Sequence, residues 1–484
     1  MKSQTRLPPH CSQVAECIYD LSPEFRAGMQ VPVRLIADEE LLERWMVSKQ
    51  LDQLIELASL KGSAEQVVGL PNLNEGDDTP SGVVAAMDYP QGFVVPWAVG
   101  SDINCGLRLL TSAVPEREIT PRLPAILEEL ERATPVGSDR GKRLSLSPRE
   151  LDELLKEGCR FLVREKGIGK DADLDAVPSA GHFHDAHGDH LSASAKALGL
   201  SQLGTLGRGR SHFVEVGAIE EVYDRAAADQ LKLTQGSVAV LIHSGARALG
   251  ERTYVEAVGL ATAAMKRLRL PPSPRGLAYA PLDSEEGLWC YHALRAAANY
   301  GWANRHVLTH QIRMVFQRIF SDGSAQLRVA CDSPSNTVEI HRMNDRHLCL
   351  HRHAATIAHG PGISDQVPAA YRTLGTPMVL PGSMGSSSYV LLATEAAEAL
   401  SLASACHGAG RVMSRKEARK TLAPHELKEM LAQRGVIARS PEPADLRHQI
   451  PEAYRDVESV LSILERAGLA QRVARIRPRG VLKS

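Results

Sequence analysis

TVEIHRMNDRHLCLHRH, residues 337–353, sets two apolar runs on either side of a polar centre. This pattern predicts two strands around a turn. SVAVLIH, residues 237–243, is a second strand signal, a short β-branched run that ends on His243. Helix signals lie between the strands. Ser147, Pro148 and Glu150 supply an N-cap, a proline at the first helical position and a capping glutamate. In the LDELLKEGCRFLV that follows, apolar residues recur at helical spacing. Residues 286–319 and 453–471 also read as helices. Mixed elements in irregular alternation predict the α+β class, with one large domain of mixed sheets flanked by helices. The expected division is a separate N-terminal part over residues 1–60 and the main domain over 61–484.

The 484 residues carry a net charge of -1 and are 43% hydrophobic, a globular rather than a disordered composition. Aromatic residues make up only 4%, so broad stacking platforms for nucleic acid are not expected, and any polyanion site must be a local basic patch. No apolar run reaches the roughly 18 residues of a membrane span. The eight cysteines are scattered and form no CxxC pair, which argues against a disulfide framework and makes a reducing cytoplasm the expected location.

Several residues can carry chemistry. In SDINCGLRLL, Asp102 and Cys105 stand three apart at a sharp segment. A carboxylate and a thiolate at that spacing can reach one metal, and a thiolate can bridge two. His212, His243 and His351 sit at the ends of predicted strands. Thiolate and imidazole donors by themselves favour zinc or iron. The histidine-rich HFHDAHGDH, residues 182–190, matches no zinc spacing and reads as a solvated loop. LGTLGRGRSHF and PGSMGSSSY are glycine-rich turns whose amides can cradle phosphate, without the sequence of a Walker A loop. His407, in ACHGAGRVMSR, precedes a helix start marked by Ser414 and Glu417, a capping box.

Taken in order, DINCG (102–106), GTLG (204–207), HFVE (212–215), HSGARALG (243–250), AAANYGWANR (296–305), HRHAAT (351–356), LPGSMGSSSYV (380–390), CHGAGRVMSR (406–415), AYRDV (453–457) and RPRGVLK (477–483) resemble the RtcB family of RNA ligases. The resemblance implies an RtcB-like catalytic domain with two Mn2+ ions bridged by Cys105. His243 and His351 would complete one ion, Asp102 and His212 the other. It implies GTP as co-substrate and His407 as the nucleophile that carries GMP. Phe213, Glu215, Ser383, Ser388, Arg411, Tyr454 and Lys483 match GTP-binding positions, and Arg208, Arg210, Ser211 and Arg352 are candidates for RNA phosphates. The implied reaction joins 3′-phosphate or 2′,3′-cyclic phosphate ends to 5′-hydroxyl ends through an RNA-(3′)pp(5′)G intermediate. Broken tRNA or another structured RNA would be the partner, with an archease-type activator as a further one.

The chain departs from the family pattern at particular places. Ser211 replaces an asparagine, His353 a lysine, and PNLNEG (71–76) replaces a stretch with an aspartate and a histidine, the latter at Asn74. The ligand and guanylate positions are kept while the phosphate-handling ones drift, which points to RNA repair on a changed substrate. Two other readings stand beside ligation: a metal-dependent RNA-end phosphatase or cyclic phosphodiesterase without joining, and a non-catalytic RNA- or nucleotide-binding paralogue.

Overall fold

The computed structural model describes residues 7–75, 80–136, 144–207, 211–273, 275–343, 345–363, 367–441 and 443–484, the side chains of 443–445 excepted. Among them, one long mixed sheet forms the spine. From one edge to the other its order is Cys11–Ala15, Ile18–Leu21, Val33–Ile36, Ser63–Asn74, Ser81–Asp88, Arg346–Ile357, Arg328–Met343, Gly106–Pro115, Ser237–Ser244, Phe213–Val222, Ala470–Lys483, Ser388–Ala393 and Pro377–Leu380. Ser404–Cys406 adds beside Arg346–Ile357, and Ile437–Arg439 runs parallel to Ala470–Lys483. The α+β class expected from the sequence is the one observed. The two strands expected around the turn near residue 345 are the antiparallel pair Arg328–Met343 and Arg346–Ile357.

That pair contains the seam on which the molecule is organised. The first half of Arg328–Met343 pairs with Gly106–Pro115, up to Pro334 opposite Gly106. Its second half pairs with Arg346–Ile357, from Ser335 opposite Thr356 onward, with a register shift between Ser335 and Thr337. A shift of this kind bends a strand and leaves a residue outside the ladder. Here Asn336 takes a left-handed φ of 55°. The Asp102–Cys105 turn docks into the gap. Ser335 donates its backbone N–H to the Cys105 carbonyl (2.9 Å), and Asn104 donates its own to the Asn336 carbonyl (3.0 Å).

Behind the seam lies the 35-residue helix Glu285–Ile319, whose middle is buried almost without interruption from Cys290 to Thr309. Its polar side chains are fasteners. Arg305 donates to the carbonyls of Asn104 (2.6 Å) and Ser244 (2.9 Å), and Asn304 donates to those of Thr205 (3.1 Å) and Gly245 (3.3 Å). Asn104 donates in turn to the Ala298 carbonyl at 2.6 Å. At Gly301 the backbone comes so close to Asn104 that an added Cβ would collide with it. Asp332 neutralises Arg305 (2.7 Å) and Arg108 (2.8 Å) in a triad with no exposed side-chain surface. Three separate turns are thereby pinned to one rigid rod.

Two helical expectations needed revision. The periodic run after Ser147 forms two helices, Pro148–Glu157 and Cys159–Lys166. They break at Gly158, whose φ of 56° and contact with the Gly181 carbonyl leave no room for a side chain. The C-terminal helix spans only Val457–Arg466, because Gly468 (φ 72°) turns the chain into the strand Ala470–Lys483. The HFHDAHGDH segment is more than a solvated loop. Asp185 binds Tyr291 (2.7 Å) and Arg295 (2.7 Å) of the long helix, and Phe183 is buried against Trp302.

Candidate active site

The turns held by the long helix converge at the seam. Asp102 Oδ2 lies 2.8 Å from His212 Nε2, and Cys105 Sγ lies 3.5 Å from the same nitrogen. On its other side Cys105 Sγ is 3.1 Å from His243 Nε2, which is itself 3.2 Å from His407 Nε2. Two groups with metal-binding spacing result, Asp102–Cys105–His212 and Cys105–His243–His407, and Cys105 belongs to both. The distant segments named by the sequence therefore do meet.

Neighbouring carbonyls set the rings. His243 Nδ1 donates to the Ser211 carbonyl at 3.0 Å, and His212 Nδ1 faces the Leu206 carbonyl at 3.2 Å. The His243 ring is left presenting an Nε2 lone pair towards Cys105, the arrangement by which outer hydrogen bonds orient a metal ligand. Arg247, which opens the helix Arg247–Arg267, packs its guanidinium against His212 and fills the space beside Gly207. The donor set of Asp102, Cys105, His212 and His243 could hold a metal ion.

His407 caps this arrangement from the Ser404–Cys406 strand. Its backbone N–H reaches the Ala354 carbonyl at 3.3 Å, and the same carbonyl accepts from Asn72 Nδ2 at 2.8 Å. Gly410, with φ 80°, lets the loop press on Asn72 and Arg455 where a Cβ would not fit. Burial, reinforced by the Arg305 charge, pushes His407 down to about 4, and burial beside His212 and His407 carries His243 well below its ordinary value. Burial therefore disfavours the charged form of both rings, whose Nε2 atoms stand 3.2 Å apart. The capping box of Ser414 and Glu417 is present as the sequence indicated.

A pocket of about 110 Å³ opens over His407, lined among others by Phe213, Ser383, Gly408, Tyr454 and Lys483. Phe213 lies opposite both His243 and Lys483 in the sheet, and the Lys483 ammonium sits 4.4 Å from the Phe213 ring centre. Strict alternation would have put Phe213 and Glu215 on the face away from His212. No conflict arises, because the strand begins at Phe213 and His212 belongs to the preceding turn. Burial raises Glu215 to about 8 despite Lys483, and lowers Lys483 to about 8 despite Glu215. Glu215 Oε1 is buried with no hydrogen-bond partner.

Of the other expected nucleotide residues, Ser388 accepts from the Gly382 N–H (3.0 Å) and Ser383 Oγ meets Ser386 Oγ (3.0 Å), which shapes the glycine-serine turn. Arg411 donates to Tyr454 Oη (3.0 Å) and to the His448 carbonyl (2.8 Å).

Some expected residues are not brought in. His351 is fully buried on its strand, outside both metal-spaced groups, and its Nε2 accepts the Val95 backbone N–H at 3.0 Å. Arg352 does not face RNA: it is wholly buried, paired with Glu339, and donates to Ser404 Oγ at 2.8 Å. Strand alternation explains the correction, since the residue after His351 must point to the opposite face. Ser211 stays at the pocket, its hydroxyl 3.4 Å from Tyr454 Oη. Arg208 and Arg210 lie outside the described residues.

Asn336 is a hub of this site that the sequence reading missed. Its Oδ1 accepts the Ala354 N–H (2.7 Å) and its Nδ2 donates to the Asp102 carbonyl (2.8 Å), tying the ligand turn to the turn that holds His407. Arg305 and Asn304 were visible only as letters in a motif.

Comparison with known proteins agrees with this geometry. The family described as tRNA-splicing ligase RtcB matches residues 53–484. The chain is 35% identical to the tRNA-splicing ligase RtcB of Archaeoglobus fulgidus over 477 residues, covering 97% of this chain and 98% of that protein. It is also 35% identical to the protein of that name from Pyrobaculum aerophilum, over 98% of this chain and 99% of the relative. The Thermococcus kodakarensis protein is again 35% identical, over 95% and 96%.

Proposed function

This chain belongs to the RtcB family, and from that premise we propose that it is a GTP-dependent RNA ligase whose His407 becomes guanylylated. It joins RNA 3′-phosphate or 2′,3′-cyclic phosphate ends to 5′-hydroxyl ends. One observation carries the reading: a neutral, half-buried His407 stands between the shared Cys105–His243 group and a pocket lined by glycines, serines, Tyr454 and Lys483.

A neutral imidazole is a competent nucleophile. His407 attacks the α-phosphorus of GTP and pyrophosphate leaves. Water first opens a 2′,3′-cyclic phosphate to a 3′-phosphate and a free 2′-hydroxyl, and an oxygen of that 3′-phosphate then displaces the imidazole and takes GMP. The 5′-hydroxyl of the second end attacks that activated phosphate, and GMP departs. Asp102, Cys105, His212 and His243 would hold two divalent ions, which the family makes manganese. Once bound, such ions supply Lewis-acid stabilisation of charge on phosphoryl oxygens. The chain's own groups do the rest. The Ser211 carbonyl keeps the His243 ring in one tautomer, and Asn336 holds the ligand turn at a fixed position relative to the His407 loop. Glu215 Oε1, an acceptor without a donor, suits the N–H groups of guanine and not the adenine edge. Lys483 and Phe213 flank it.

The substrate we propose is broken tRNA or another structured RNA in the cytoplasm, and an archease-type activator fits the same reading. A narrower activity, opening or removing end phosphates without joining, draws support from Ser211, whose hydroxyl is turned to Tyr454, and from the burial of Arg352.

The test is to mix the protein with α-labelled GTP and manganese, denature it, and look for label on the chain, with His407→Ala as the control. Label on the wild type alone supports the proposal, and its absence under every divalent ion tried refutes it. Label without joining of the two end types selects the narrower activity.

A further inference from the structure

A third metal-spaced group lies on the face of the seam strands opposite His351. Glu339 and His341 come from Arg328–Met343, and His359 follows Arg346–Ile357. Each of the three offers a ligand atom within 4.8 Å of the other two. Glu339 and His359 are fully buried, and His341 is 7% exposed.

The hydrogen bonds around the group are specific. Glu398, on the short helix Ala396–Ser401, lies with Oε1 2.7 Å from His359 Nδ1 and Oε2 3.4 Å from His341 Nε2. An imidazole that donates its Nδ1–H to a carboxylate presents an Nε2 lone pair, the outer arrangement that recurs behind metal-bound histidines. His359 Nε2 is buried and has no partner. Glu339 repeats the pattern: one oxygen takes the Arg352 guanidinium, and Oε2 is buried with no partner. The result is a carboxyl oxygen and an imidazole nitrogen with no hydrogen-bond partner among the described residues, a costly state in a buried interior.

We propose that Glu339, His341 and His359 bind a divalent metal of the zinc class, with Glu398 holding the His359 ring. Two imidazoles and a carboxylate form a donor set that zinc takes readily and that magnesium and calcium do not favour. Burial leaves no path for a substrate, so the ion is a structural clamp. It fastens Arg328–Met343 to the segment after Arg346–Ile357 and, through Glu398, to the Ala396–Ser401 helix that leads to the His407 strand.

The full-length chain carrying Cys105→Ala and His212→Ala, which dismantles the thiolate-sharing groups, is loaded with zinc, passed through chelator and assayed by mass spectrometry. About one equivalent should remain per chain, and adding His359→Gln should remove it while circular dichroism confirms a folded chain. Should that variant not fold, the zinc-edge X-ray absorption spectrum of the Cys105→Ala, His212→Ala chain decides the matter. A shell of nitrogen and oxygen without sulfur supports the clamp. Absence of retained zinc overturns it, as does zinc retained equally after His359→Gln in folded protein. Guanylylation of the wild type is read separately, so failure of either proposal leaves the other standing.

Discussion

Two histidine–carboxylate clusters flank the same strand seam, and they differ in how their ligands are supplied. At the His407 cluster the donors come from the Asp102–Cys105 turn and from three other chain segments, held from outside by Asn304, Arg305 and Asn336, and the group opens into a pocket. At the Glu339 cluster two donors come from one strand and the third from the segment just after its neighbour, all three buried. Turns can be adjusted one at a time and leave space for a substrate. Strands fix their donors through the ladder and exclude water. One geometry suits chemistry, the other fastening.

The largest predicted effect breaks the comparison if it fails. His407→Ala should lower end joining by about 10⁴-fold or more, as loss of a nucleophile does elsewhere, and leave the thermal unfolding midpoint close to wild type. A labelled, active variant would remove His407 from its role. Next come the two buried arginines. Arg305→Met leaves Asp332 and two turn carbonyls short of a partner and should cost about 3–5 kcal/mol in denaturant unfolding, with guanylylation lost alongside. Arg352→Met should cost a similar amount in stability yet retain guanylylation in whatever fraction stays folded. Equal loss of labelling in both would erase the distinction between the faces.

A smaller effect concerns base choice. Glu215→Gln puts a fixed amide donor where the carboxyl, once ionised, only accepts. It should weaken GTP relative to ATP by about 1–3 kcal/mol, the usual cost of a mispaired buried polar group, as measured by competition in the labelling assay. The smallest effect lies at Ala354, which holds φ 50° between the two clusters. Ala354→Gly relieves a left-handed alanine at the expense of unfolded-chain entropy, so stabilisation of about 1 kcal/mol or less is expected in calorimetry.

What the sequence made legible was local. The strands on either side of the turn near residue 345, the Ser147 and Ser414 capping boxes and the glycine-bounded His407 turn all depend on residues a few positions apart. What it hid depends on partners far along the chain. Arg352 reads as a surface charge until strand alternation aims it at Glu339. Gly158 reads as a tolerated helix residue until the Gly181 carbonyl arrives against it. The expected ligands Asp102, Cys105, His212 and His243 come together, whereas His351 is engaged by Val95, an amide whose approach no spacing encodes.

The order of the sheet also bears on how the chain acquires its shape in time. Ala470–Lys483 lies inside the sheet, between Phe213–Val222 and Ser388–Ala393, so strands separated by some 250 residues wait for it. Pairings of such sequence separation form slowly, because the entropy of closing a long loop is spent before any contact rewards it. A chain emerging N-terminus first would display the Cys105 thiol and two imidazoles well before His407 and Lys483 could cover them. Whatever protects those groups during synthesis is therefore as much a part of making this protein as the sequence that assembles them.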